Sequence, residues 1–558
     1  MPDPDTSSAL AATLGLPALV ADCLVARGLG EPGLAARFLA PSLKDLEDPE
    51  SLDGMDVAVD RIRSAEIRGE RIRIVTDYDV DGATSSLILG AALGALGGRA
   101  RVDRRIPDRF SSGYGFGEAA AREAVADGVH LLIAADVGIR DRASVEIARA
   151  GGVDVIICDH HLPEEGSQPP AALAVLCPLL PGSGYANRAL AACGIALQLA
   201  RALLGDHPRH DDLVRSFLKL AAIGTVADVV DLSVRENRAI VALGLEALSA
   251  GGHAPGLQAL LAVSGCSNRP MTAGDLGFRI GPRINAAGRI EHAEVAIRLL
   301  TERDPVRAHE LAAILDGLNR RRQDIQERLV RKLLEDEPPI SETRRFPVFA
   351  GQESDGWHRG VVGIVAGRVR EALRRPVAVA GIQAGVAVAS VRSVPAVHAV
   401  RALDAAAPLL LRYGGHAAAA GFSARVEDLP ALEATLSQWV ADHVAPGDLV
   451  PELRVDATVA ASRLDLATAR TLARLEPHGS GHPHPRFLVP GVRLERWRLS
   501  KGRHLFFRLG GAEAAWWDGA RHLPAVENAP IDLVGTLGLD TWQGQVRCRF
   551  SVEDARIA

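Results

Sequence analysis

Asp77, Asp79 and Asp81 stand at alternate positions directly after the β-rich run Ile72–Thr76 and before Gly82. A second such run, Leu131–Ala135, ends at Asp136, and a third, Val153–Cys158, ends at Asp159-His160-His161. Asp228 closes the stretch Gly224-Thr225-Val226-Ala227-Asp228, after a predicted helix over 212–222. A single aspartate at a strand end commonly caps the next helix. Several aimed at one place would repel one another and retain their protons unless cations neutralised them, so the set implies bound metal. Oxygen ligands with one or two imidazoles and no thiolate suit Mn²⁺ or Mg²⁺ better than zinc. Two such ions roughly 3.5–4 Å apart can generate a hydroxide and stabilise both the attacking and the leaving oxygen of a phosphoryl displacement.

The surrounding pattern supplies elements able to position these groups. From about residue 60 to 230, β-rich runs alternate with helix-like segments (Thr84–Leu96, Arg142–Ala150, Leu190–Leu204), which indicates a parallel α/β sheet. In a doubly wound sheet the ligand lies beyond the carboxyl ends of the strands, so the acidic clusters share one crevice. Residues 304–337 read as one long helix: Asp304 can cap it, Pro305 suits its first turn, and Ala308, Leu311, Leu315, Leu318, Ile325 and Leu329 recur at helical spacing. Its Arg320, Arg321, Arg322 and Arg328 fit either a solvated connector or one wall of a groove for a polyanion. A strand at Arg345–Ala350, a helix at Val361–Leu373 and a hairpin over 377–391 predict a second α/β unit. After Pro446, short alternating runs (Val492–Leu499, His504–Leu509, Ile531–Leu537, Gln545–Val552) indicate a small barrel or sandwich. The predicted divisions are a helical N-terminal segment (1–55), a catalytic domain (56–303), a connecting helix (304–339), a second α/β domain (340–447) and a β domain (448–558).

Composition sets outer limits. A chain of 558 residues exceeds one hydrophobic core, and 47% hydrophobic with 24% charged residues is an ordinary soluble balance, neither disordered nor membrane-embedded. No membrane span and no signal peptide is expected, which places the chain in the cytoplasm. The six cysteines form no CxxC pair, so neither structural zinc nor a disulfide framework is expected. Lysine is confined to Lys44, Lys219, Lys332 and Lys501, so arginine carries the positive charge. With a net charge of −6, a nucleic-acid partner has to be held by local patches.

Asp77-Tyr78-Asp79-Val80-Asp81-Gly82-Ala83-Thr84, Asp136-Val137-Gly138, Asp159-His160-His161-Leu162-Pro163 and Gly224-Thr225-Val226-Ala227-Asp228 resemble, in order, the four motifs of the DHH phosphoesterase superfamily. Further matches resemble the RecJ branch of it: Arg27-Gly28, Phe38-Leu39 with Pro41, Asp48-Pro49, Pro107-Asp108-Arg109 with Gly113-Tyr114-Gly115, the run from Gly281 to Arg289, Trp357-His358, Ser390 with Arg392-Ser393, and Gly414-Gly415-His416. The similarity spans nearly the whole chain. Val137 stands where the family usually has Asn, and Cys177-Pro178 where it has Asn-Pro. His478, His482 and His484 take unusual places in a Pro- and Gly-rich run that is read as a structural turn rather than a metal site.

The resemblance implies a DHH parallel-sheet domain joined by the long helix to a DHHA1 α/β domain, with a C-terminal OB-fold barrel. It implies metal ligation of two divalent cations, Mn²⁺ or Mg²⁺, by Asp77, Asp79, Asp81, Asp136, His160 and Asp228, with Asp136 bridging. His161 would bind or protonate the reacting phosphate and Asp159 would orient it. A pocket for a terminal 5′-phosphate is expected from Arg109, Ser390, Arg392, Ser393, Gly414, Gly415 and His416, with Arg283 and Arg289 on the neighbouring backbone. The implied activity is 5′→3′ exonuclease action on single-stranded DNA in repair and recombination, releasing 5′-mononucleotides. A monomer working with a single-stranded-DNA-binding protein and a RecQ-type helicase is implied too. The alternatives are a DHH phosphodiesterase of oligoribonucleotides or cyclic dinucleotides, and a non-catalytic Cdc45-like replication scaffold.

Overall fold

The computed structural model of the chain describes residues 2–107, 115–164, 166–335, 343–450, 452–527, 529–542 and 545–558. The acidic runs follow strands of a five-stranded parallel sheet: β1 (Arg71–Thr76), β2 (Arg101–Arg105), β3 (Leu131–Ala135), β4 (Asp154–Cys158) and β5 (Ala174–Leu176). Their order is β2-β1-β3-β4-β5. The chain therefore goes to one side of β1 and returns to the other, which opens a crevice at the carboxyl ends of β1 and β3. β1, β3 and β4 are buried almost throughout, as expected of strands covered on both faces. One layer on the sheet contains Met55, Ile62, Ile88 and Leu199, and the other contains Phe116, Val145 and Ala148.

The second sheet consists of β6 (Val348–Gln352), β7 (Val377–Gln383), β8 (Val386–Arg392), β9 (Arg412–Gly415) and β10 (Ala419–Arg425), in the order β6-β7-β8-β10-β9. The long helix runs from Pro305 to Glu335. It belongs to both neighbours. Ala308, Ala312, Leu315 and Leu318 pack into a core with Ile284 and Leu299, whereas Ile325, Leu329 and Leu333 pack with Trp357, Val361 and Val365. A helix buried in two successive cores fixes the geometry between them, which a solvated connector would not.

The C-terminal sheet has seven strands in the order β11-β12-β16-β17-β15-β14-β13: β11 (Ala457–Thr458), β12 (Arg486–Val492), β13 (Glu495–Ser500), β14 (His504–Leu509), β15 (Ala512–Trp516), β16 (Ile531–Trp542) and β17 (Gln545–Ile557). The predicted strand Val492–Leu499 is in fact the end of β12 and most of β13, separated by Arg493 and Leu494. The N-terminal segment does not stand alone. Leu10, Val20, Leu24 and Phe38 share one core with Phe487, Leu505, Leu533 and Phe550 of the barrel, while Leu46, Leu52 and Met55 join the catalytic sheet. Sequence adjacency had grouped residues 1–55 together, but their apolar faces go to opposite ends of the chain.

One buried cation joins these parts. Arg238, 1% exposed, donates to the carbonyl oxygens of Phe38 (2.8 Å), Leu475 (2.9 Å), Glu476 (2.7 Å) and Pro477 (3.0 Å) and lies over the Phe38 ring. Beside it Arg27 pairs with Asp456 (2.7 Å) and reaches His482 Nδ1 (2.9 Å), and His482 Nε2 contacts the Leu475 carbonyl (3.0 Å). Burial, reinforced by nearby His484 and His482 for His478 and by Arg27 and Arg238 for His482, pushes the His478 pKa down to about 2 and that of His482 to about 3. Two neighbouring arginines argue against a metal at these histidines. Folded-state pKa values below the unfolded value near 6.5 mean that the unfolded chain binds more protons, so stability is full above about pH 6.5 and falls as the pH drops toward 3. Each ring contributes a slope of at most about 1.4 kcal/mol per pH unit. Thermal melts between pH 7 and 4.5 are expected to show this loss, and His478→Asn with His482→Asn to flatten it. An unchanged slope in the double variant would refute the assignment.

Candidate metal centre

The register brings the acids level. Thr76 pairs with Ala135 and Ala135 with Cys158, so Asp77, Asp136 and Asp159 each leave their strand at the same height. Asp136 adopts φ 63°, a left-handed conformation uncommon outside glycine, and its N–H donates to the Cys158 carbonyl (2.9 Å). The helix after β1 begins at Val80, four residues before the predicted start, because Asp79 is its N-cap and accepts from the Gly82 N–H (3.1 Å). Asp81 thus lies in the first turn and faces inward.

Asp81 also has a task that its spacing did not reveal. Its Oδ2 accepts from the Ala192 N–H and its Oδ1 from the Cys193 N–H, both at 2.8 Å, at the start of the helix Ala192–Leu203. A helix N-terminus favours a carboxylate, and here it locks the orientation of this one. Gly224 allows the fit: a Cβ there would lie 2.6 Å from Cys193 Sγ and 3.0 Å from Asp81 Oδ1. The helix His210–Ala227 ends at Asp228, five residues beyond its predicted end, so Asp228 is presented by a helix terminus rather than a loop.

Among the described residues, three groups of donors close enough to share an ion result: Asp77, Asp79 and Asp136; Asp81, His160 and Asp228; and Asp136 with His160 and His161. His160 Nε2 is 3.3 Å from Asp136 Oδ1 and 3.8 Å from Asp81 Oδ2, and its Nδ1 is 3.7 Å from Asp228 Oδ2. Asp136 is common to two groups and 2% exposed, yet its Oδ1 is buried without a hydrogen bond. A buried carboxylate oxygen left unbonded beside four other acids is what a divalent cation would satisfy. Burial, then Asp79, Asp81, Asp77 and Asp159, holds the Asp136 carboxyl well above the usual carboxylate range. Burial with Asp81 and Asp79 lifts Asp228 to about 8, and burial also raises Asp81. Cation binding must expel these protons, so it strengthens as the pH rises.

Asp159 is the counterpart. It is 1% exposed, yet burial is outweighed by the hydrogen bond and charge of His161 (Nδ1 to Oδ1, 2.7 Å) and by the N–H groups of Ile139 (2.9 Å) and His161 (3.0 Å), which hold its pKa low. His161 is raised in return: burial alone would lower it, but the Asp159 hydrogen bond and charge prevail. Val137 is buried against the layer containing Phe116 and Val145, so the departure from the family residue is accommodated as core.

The expected phosphate-binding residues divide. Arg392 and Ser393 line a cavity of about 480 Å³ together with Arg370, His398 and Ala417–Ala419. Ser390 and Arg392 face Gly363, where a Cβ would lie 3.1 Å from Ser390 Oγ. Ser393 is bound inward, its hydroxyl donating to the Val397 carbonyl (2.6 Å). Gly414, Gly415 and His416 are exposed and outside that lining. Arg109 lies outside the described residues. Arg283 is held by the fold: its guanidinium pairs with Asp316 (2.8 Å) and donates to the Arg279 and Val263 carbonyls. Arg289 lines a smaller cavity with Asn285 and Arg322, and Arg322 was visible in sequence only as one of a run of helix arginines.

Residues 71–225 match the DHH family, N-terminal domain, 346–442 the DHHA1 domain, and 455–554 the RecJ OB domain. The single-stranded-DNA-specific exonuclease RecJ of Bacillus subtilis is 35% identical over 569 residues, covering 100% of this chain and 70% of its own length. The crystal structure of RecJ in complex with Mn²⁺ from Thermus thermophilus superposes with a TM-score of 0.84 at 33% identity, over 100% of this chain and 78% of that one. The Mg²⁺ complex from the same organism gives 0.78 at 32%, over 100% and 77%.

Proposed function

The chain belongs to the RecJ family of single-stranded-DNA-specific exonucleases, and from that premise we propose that it removes 5′-mononucleotides from the 5′ end of a strand. It is a metal-dependent phosphodiesterase, its substrate is single-stranded DNA, and its cofactors are divalent cations, Mn²⁺ or Mg²⁺. The observation that carries the reading is the buried, unbonded Asp136 Oδ1 at the centre of the donor set.

In this reading Asp77, Asp79 and Asp136 would hold one cation and Asp81, His160 and Asp228 the other, with Asp136 also within reach of His160. When bound, the pair activates water and offsets charge on the attacking and leaving oxygens. His161, its Nδ1 tied to Asp159, turns its other nitrogen to the reacting phosphate and neutralises charge there or returns a proton to the leaving oxygen. Asp159 is a positioning residue, since it also fixes the Ile139 turn after β3. Beside Asp228, Val229 and the 81% exposed Phe278 border an apolar cavity of about 500 Å³ that reaches Arg486 and Thr536 of the barrel, a route suited to unpaired bases. Every ligand position carries a donor, which disfavours a Cdc45-like scaffold, and the barrel disfavours a dinucleotide phosphodiesterase.

End-labelled single strands of both polarities, incubated with each metal, test the direction: labelled mononucleotide should appear at once only from the 5′ label. Simultaneous release from a 3′ label would overturn it. No described helix is long and apolar enough to cross a membrane. A cytoplasmic monomer cooperating with a single-stranded-DNA-binding protein and a RecQ-type helicase is the setting this reading implies.

The cavity at Arg392, with Arg370 and His398, is placed at the 5′-terminal phosphate, which carries more charge than an internal diester. Arg392→Ala should therefore slow 5′-phosphorylated strands roughly ten- to a hundredfold, the range of a charge-assisted hydrogen bond, and 5′-hydroxyl strands by much less. Equal slowing of both would make Arg392 a general backbone contact.

A further inference from the structure

Among the described residues, several buried or half-buried arginines face an acid: Arg27 faces Asp456, Arg73 faces Asp103 and Asp127, Arg283 faces Asp316, and Arg344 faces Glu433, while Arg238 is held by four carbonyls. Arg322, in the middle of the long helix, faces no described acid. It is 9% exposed, and the groups it donates to are neutral amides, Gln326 Oε1 (3.0 Å) and Asn319 Oδ1 (2.6 Å). Its Nε is buried without a hydrogen bond. A guanidinium removed from water with only amide partners is unfavourable in the isolated protein unless an anion completes it.

The place where that anion would sit is already formed. Arg322 lines a cavity of about 120 Å³ with Arg289 and Asn285, bordered by Ala227, Gly281 and Ile364. Pockets that take whole small molecules run to about 300–1,000 Å³, so this one suits a single anionic group. Its walls come from three bodies. Ala227 precedes the candidate ligand Asp228, and Ile364 belongs to the helix Arg359–Leu373 of the second α/β domain. Arg289 follows Gly288, where a Cβ would lie 2.8 Å from the Tyr78 carbonyl of the first acidic motif, and its Nη1 donates to the Gly360 carbonyl (3.1 Å) across the domain boundary.

We propose that Arg322, with Arg289 and Asn285, forms a phosphodiester site that holds a backbone phosphate next to the one under attack. The inference rests on the exonuclease reading. The strand's own negative charge supplies the missing counter-ion, and because the long helix changes partner between Leu318 and Ile325, a phosphate seated there contacts both domains and the helix that joins them. Arg322 thereby takes the backbone role expected of Arg283.

A structural role and a phosphate-binding role predict opposite signs. If Arg322 awaits an anion, Arg322→Met relieves an unpaired buried charge, so the full-length free protein melts at the same or a higher temperature while its affinity for an unhydrolysed single strand, measured with Ca²⁺ in place of the active metals, falls about tenfold. The slope of log K against log salt should shrink by about 0.7, one phosphate contact on a single strand. A single neutral methylphosphonate walked along the 5′ end should weaken the parent at one linkage and leave Arg322→Met indifferent to that linkage. A lower melting temperature with an unchanged salt slope, or equal methylphosphonate sensitivity in both proteins, overturns the site. If Arg322→Met does not fold, Arg322→Gln enters the same cycle, and failure of both to fold would show the guanidinium to be part of the core and also overturn it. Failure of the exonuclease reading is separate, since the parent itself would then neither bind nor hydrolyse the strand.

Discussion

Asp136→Ala should lower hydrolysis of single-stranded DNA by roughly a thousandfold or more, a loss of about 4 kcal/mol of transition-state stabilisation, with strand binding nearly unchanged. Asp136 is the carboxylate shared between two of the ligand groups, and its Oδ1 is buried without a hydrogen bond. Removing a buried carboxyl that four other acids crowd should also raise the melting temperature of the metal-free protein and shrink the further rise that Mn²⁺ produces. Asp136→Asn belongs in the same experiment, because asparagine tolerates the left-handed backbone at φ 63° and alanine does not. Activity within tenfold of the parent in either variant would remove Asp136 from the centre. So would an unchanged metal-dependent shift in melting temperature.

The second large effect concerns the architecture. Arg238→Leu takes the guanidinium donor from four carbonyl oxygens, of which Leu475 keeps His482, and removes the cation stacked on Phe38. Losing one partner of a buried charged network costs about 3–5 kcal/mol, which translates to a melting temperature lower by roughly 5–15 °C. Those carbonyls belong to the N-terminal helices and to the turn that leads into the barrel, so the loss should be local to that junction. Limited proteolysis should then release the barrel end first, while short oligonucleotides are still hydrolysed because the carboxylates lie on a separate sheet. A melting temperature within about 2 °C of the parent would show that the arginine is dispensable. Simple deletion of 448–558 is a poor substitute for this variant, since it would expose the apolar face of Leu10, Val20, Leu24 and Phe38.

Much of the catalytic end was legible before any folding, and for a physical reason. A parallel sheet delivers every strand's carboxyl end to one edge, so Asp77, Asp136 and Asp159 could be placed together from the strand–acid pattern alone, and the observed register puts them at one level. Electrostatics then required a cation, whatever the distances. The four motifs in order carried the family, and hence the barrel and the second domain.

What the linear order could not contain was the partner of each group across long separations. Asp81 is bound by N–H groups more than a hundred residues away, Arg283 is used up by Asp316, and Arg322, one of three consecutive arginines, is the one turned inward. At 3.6 residues per turn, neighbours on a helix point in different directions, and only the packing of two domains on the long helix decides which faces a cavity. The N-terminal segment makes the same point at larger scale: its hydrophobic pattern showed that it had to be covered, but hydrophobic burial is non-directional, and only the tertiary structure determined that the covering surface is a barrel more than four hundred residues further along.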